Sequence, residues 1–172
     1  MSLSEEVIFP EIVGGIPVLE GDPTTPANIT LTGTASTIGT MLQVTGNWYF
    51  IGITIKTTGT LLRGIEVTFG GRLKINNIRI DNITSHAIVC ELNGVIDGKN
   101  ASIVRAGAVT SAVFIALLGG AINLLGATLN MTAGSATHEY RVLLNGIIDM
   151  FGATRTGGVV ENIATGGQIR TP

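Results

Sequence analysis

Three stretches of this chain restate one another without a gap. Gly94-Val-Ile-Asp-Gly-Lys-Asn-Ala-Ser-Ile103 returns 26 residues later as Gly120-Ala-Ile-Asn-Leu-Leu-Gly-Ala-Thr-Leu129. It returns again, after 26 more, as Gly146-Ile-Ile-Asp-Met-Phe-Gly-Ala-Thr-Arg155. Earlier copies open at Gly71 and Gly46, 23 and 25 residues before their successors. A unit of this length, recurring in phase, is the signature of a solenoid and outranks any local reading.

Within each unit the period is two, so the segments are strands. The third position after the opening glycine reads Trp48, Leu73, Ile96, Ile122, Ile148, and the fifth reads Phe50, Ile75, Gly98, Leu124, Met150. Alternate side chains share a face, so both columns point inward. The seventh position is Gly52, Asn77, Asn100, Gly126, Gly152. Glycine and asparagine enter left-handed backbone most cheaply, so a corner belongs there. A preceding strand is expected to face inward through Leu42, Val67, Cys90, Ala116, Val142, and also through Val44, Phe69, Leu92, Leu118, Leu144. Stacked by parallel pairing, each coil rises about 4.8 Å and like residues form ladders. The fold class is therefore all-β: a short right-handed parallel β-helix of about five to six coils, its hand following from the usual chirality of strand connections.

Residues 27–172 carry this solenoid, and residues 1–26 lie outside the repeat as an N-terminal arm or cap. That segment holds Glu5, Glu6, Glu11, Glu20 and Asp22, with no Lys or Arg before Lys56. It lacks the basic start and long apolar core of a secretory signal. Glu5, Glu6, Val7, Ile8, Phe9 and Glu11 are the candidate partner-docking residues.

Outward positions are polar in the early coils and apolar in the later ones, at Val89, Ile115, Leu117, Leu125, Leu143 and Phe151. No Asp, Glu, Lys or Arg occurs from Ala106 to His138. Strands apolar on both faces are covered on both, so these six residues are the expected subunit interface of a homotrimer. The run Val109 to Leu129 is long enough for a membrane helix, but Gly119-Gly120 and Gly126 keep phase with the ladder, so no membrane span is expected.

With Lys plus Arg at 10 against Asp plus Glu at 12, the chain lacks the basic face of a nucleic-acid binder. The single cysteine, Cys90, falls in an inward column and reads as a small buried hydrophobe. Asp97 and Asp149 stand two rungs apart in one outward column, about 10 Å at the strand spacing and near the upper limit for an inverting glycosidase. Their place beside glycine corners assigns them instead to local backbone bonding. His86 and His138 occupy equivalent positions and are too few for zinc. No phosphate loop, nucleophile elbow or cofactor motif is present, and neither a catalytic residue nor a cofactor is expected.

These Gly/Asn-cornered coils resemble the β-helical virion proteins of tailed bacteriophages, over residues 27–172. The resemblance implies a trimeric, non-enzymatic structural role on the outer surface of the virion. A capsid cement or decoration protein bound to the major capsid protein fits best. The alternative it implies is a tail spike or fibre module that binds or cleaves surface polysaccharide.

Overall fold

The computed structural model describes residues 1–3, 5–34, 39–58, 62–157 and 160–171. Apart from one 3-10 turn at Pro26–Asn28, the regular structure is strand throughout, arranged as three parallel sheets of seven strands each. The chain visits sheet A, then B, then C, and returns to A one rung higher. Rung 4, for example, is Ile78–Ile80 in A, Ile88–Cys90 in B and Val95–Asp97 in C. The parallel β-solenoid expected from the repeat is the fold observed. Apolar Val109 to Leu129 is strand and turn, and among the described residues no helix is long and apolar enough to cross a membrane.

Pairing keeps like residues in register. In sheet C, Trp48, Leu73, Ile96, Ile122 and Ile148 stack in one ladder. In sheet B, Leu42, Ile65, Ile88, Phe114 and Tyr140 form another. Both ladders lie in the buried core, with Trp48 half-buried at its margin. Gly52, Asn77, Asn100, Gly126 and Gly152 all have positive φ, between 49° and 68°. Cys90 is buried, donates to the Ala121 carbonyl at 3.3 Å, and has its thiol pushed up to about 12 by that burial.

Residues 2–20 supply the first strand of every sheet, at Ser2–Leu3, Val7–Phe9 and Val18–Glu20. Phe9 packs edge-on to Trp48 and Phe50, with ring centroids 4.8 and 4.9 Å apart. The Trp48 indole N–H donates to the Pro10 carbonyl at 2.8 Å. The strands of this segment thus lie against the second rung, while Val13 in the loop between the last two is 98 % exposed.

Two inward positions hold arginine. Arg105 stands in register with Ile80, 4 % exposed, and its guanidinium bonds the Glu139 carboxylate and the carbonyls of Met131 and Ala133. A buried guanidinium must be paired and hydrogen-bonded, and here both conditions are met within the coil. Arg155 continues the ladder Ile78, Ile103, Leu129, and its guanidinium lies 6.0 Å from the centre of the Tyr140 ring, which stacks on Phe114. Arg155 lies in the last strand of sheet A and is ion-paired with Glu161 at 3.2 Å.

Candidate assembly surface

The corner between sheets B and C differs from the sequence expectation. Val44, Val67, Cys90, Ala116 and Val142 are in register, so the later rungs have two more residues at this corner than the rung of Val44. Those residues make tight turns. Gly94 N donates to Glu91 O, Gly120 N to Leu117 O and Gly146 N to Leu143 O, at 2.9 to 3.0 Å. Both central residues have positive φ: 49° and 63° at Leu92-Asn93, 51° and 78° at Leu118-Gly119, 50° and 63° at Leu144-Asn145. Two positive φ values across an i to i+3 bond define a type I′ turn. Phe69, Leu92, Leu118 and Leu144, expected to face inward, therefore sit at the turn tips.

The turns stack. Gly70 N donates to Leu92 O, Asn93 N to Leu118 O, and Gly119 N to Leu144 O, at 3.1 to 3.3 Å. The second turn position alternates Gly70, Asn93, Gly119, Asn145, Gly166. A Cβ built on Gly119 would meet Asn93 Oδ1 at 2.6 Å, and one on Gly166 would meet Asn145 Oδ1 at 2.4 Å. Each asparagine amide fills the space beneath the glycine of the next rung.

The result is an apolar ridge along the solenoid. Phe69 is 71 % exposed, and Leu118 and Leu144 are each 42 % exposed. Half-buried Leu117 and Leu143 flank it on sheet B, and Val95, Ala121 and Ile147 flank it on sheet C. Leu92, between Phe69 and Leu118 in the stack, is half-buried. Asparagine or glycine suits the first turn position, while a leucine there costs about 1 kcal/mol of backbone strain.

The six expected interface residues do not form one patch. Val89 and Ile115 are buried with Ala112 in a small second cluster on the outer side of sheet B, with Leu117 and Leu143 packed against it. The chain's own side chains already cover Val89 and Ile115. Leu117 and Leu143 belong to the ridge. Leu125 and Phe151 occupy the other corner, in turns closed by Ala127 N to Leu124 O and Ala153 N to Met150 O, with Phe151 59 % exposed. The signal for the ridge was present in the sequence as Phe69, Leu92, Leu118 and Leu144 beside their Gly/Asn corners, but the two-residue difference at Val44 hid it.

Of the candidate docking residues, Val7 and Phe9 pack on the core, Ile8 is 55 % exposed, and Glu5, Glu6 and Glu11 are exposed. The Glu6 carboxyl is pushed up by partial burial and by Glu66. Glu66 is itself buried and receives bonds from Thr40 and Arg63.

Asp97, Asn123 and Asp149 do share one ladder. Each side-chain oxygen accepts a bond two residues on, from Lys99 N, Leu125 N and Phe151 N at 3.0 to 3.1 Å. The column shapes its corner by the same bond whether the residue is acid or amide. His138 pairs with Ala112 across sheet B, and His86 lies one rung to the other side. Burial, together with Arg63, Arg141 and His138, pushes the His86 imidazole down to about 4.

Compared with protein-family models, curated proteins and solved structures, the chain matches none of them.

Proposed function

We propose that this protein is a structural protein that associates through the ridge at the B/C corner, forming a homotrimer that coats a larger particle. The observation that carries this reading is the placement of exposed apolar residues in strained turns. A chain selected only for its own stability would place asparagine or glycine there. Contacts between one copy's sheet B side and the next copy's sheet C side are head-to-tail, and such contacts close into rings of three or more. The resemblance to β-helical virion proteins makes a phage head the particle of choice, with the acidic N-terminal edge as its docking side.

Light scattering on the purified protein tests the association. A trimer mass is expected, and the double variant Leu118→Asn, Leu144→Asn should run as a folded monomer. Asparagine accepts positive φ, so the variant removes the apolar tips without harming the turns. A wild-type monomer at high concentration rules the reading out. A trimer that survives the double variant rules out the ridge. Co-sedimentation with empty capsids then tests the particle.

A further inference from the structure

A groove on sheet A is lined by residues distinct from those of the ridge. One wall is the loop from Pro23 to Ala27, and the floor includes Ile78, Arg79, Ser102 and Val104. Its volume is about 340 Å³, within the range of small-molecule sites.

The loop wall is held from both sides. Asp22 Oδ1 accepts from Thr24 N, Thr24 Oγ1 and Thr25 N at 2.7 to 2.9 Å, and Oδ2 accepts from Asn28 Nδ2 at 2.7 Å. Asn77 Nδ2 donates to Pro23 O at 2.6 Å, and Thr54 Oγ1 donates to Pro26 O at 2.8 Å. Those two bonds fasten the loop to the sheet, so the groove is preformed. Asp22, the nearby acid, has its charge met by four donors.

Arg79 is the one charged side chain lining the groove. Among the described residues it makes no ion pair. A guanidinium presents a planar fork that matches a carboxylate with two parallel bonds. Around it, Pro23, Pro26, Ala27 and Val104 offer apolar surface, and Ser102 offers a hydroxyl. The geometry points to a binding site for a small organic carboxylate with an apolar body, its carboxylate on Arg79 and its body against Pro26 and Val104. This site does not depend on the ridge or on any assembly.

The test is a titration of the ¹⁵N-labelled full chain with three probes, following amide shifts of Asn77, Ser102 and Thr25. Benzoate carries both carboxylate and apolar body, acetate only the first, and benzamide only the second. Benzoate should bind at least tenfold more tightly than either of the others, with shifts confined to the groove. Arg79→Gln should weaken benzoate at least tenfold, and Ala27→Tyr, which leaves Arg79 in place but fills the groove, should also abolish the shifts. The site is disproved if benzoate gives no groove shifts, if benzamide or acetate binds as well, or if Arg79→Gln and Ala27→Tyr both bind like the wild type.

Discussion

An aliphatic side chain can be worth several kcal/mol or almost nothing in this chain, according to which side of one turn it occupies. Ile96 is fully buried in the sheet C ladder. Ile96→Ala should cost about 2–5 kcal/mol, because it removes packed methylenes and leaves a cavity between Leu73 and Ile122. Leu92, four residues earlier, sits at a turn tip with φ of 49°. Leu92→Ala should cost less than about 1 kcal/mol, since neither a cavity nor a lost core contact follows. Chemical denaturation of the two variants checks the contrast, and similar losses would mean that Leu92 is in the core after all. This pair also marks how far the sequence could be read. Ile96 was legible because its column keeps period two through five copies. Leu92 was not, because period two says which residues alternate and is silent on where a strand stops and a turn with two left-handed residues begins.

At the scale of elements, sheet B holds one source of the chain's sensitivity to acid, His86. Its outer side brings Arg63, His86, His138 and Arg141 together, with Glu66 and Glu91 on the Arg63 side. The Glu91 carboxyl is raised by burial and by Glu66, and Arg63 opposes that. His86 is depressed from 6.5 to about 4. A depressed folded pKa means the unfolded chain takes up the proton first. The contribution of His86 is therefore complete above pH 6.5 and is lost as the pH falls towards 4. The melting temperature should drop across that window, and His86→Asn should flatten the drop; an unchanged profile would show that His86 is not the titrating group. The raised carboxyls of Glu6, Glu91 and Glu139 act in the opposite sense, favouring the fold below about pH 4.5. The strands of sheet B were legible from their alternation. Their outer side was not, because whether Val89 is exposed depends on neighbouring rungs that lie 20 or more residues away in the chain.

For the whole molecule, the solenoid makes stability nearly a sum of rungs and of the interfaces between them. The alternation at the turn column adds a condition to that sum. Gly70, Asn93, Gly119, Asn145 and Gly166 fit because an amide always meets a bare Cα above it. Arg105 and Glu139 likewise sit in adjoining rungs and answer each other. The chain therefore has parity: it can be shortened by an even number of rungs but not by an odd number. Excising residues 94–119 would bring Asn93 beneath Asn145 and strand Glu139 in the interior without its arginine. Excising residues 94–145 would set Asn93 beneath Gly166 and remove both members of the ion pair. The larger deletion should give the more cooperative thermal melt, although it discards twice as much core, and the reverse order would show that the rungs are interchangeable.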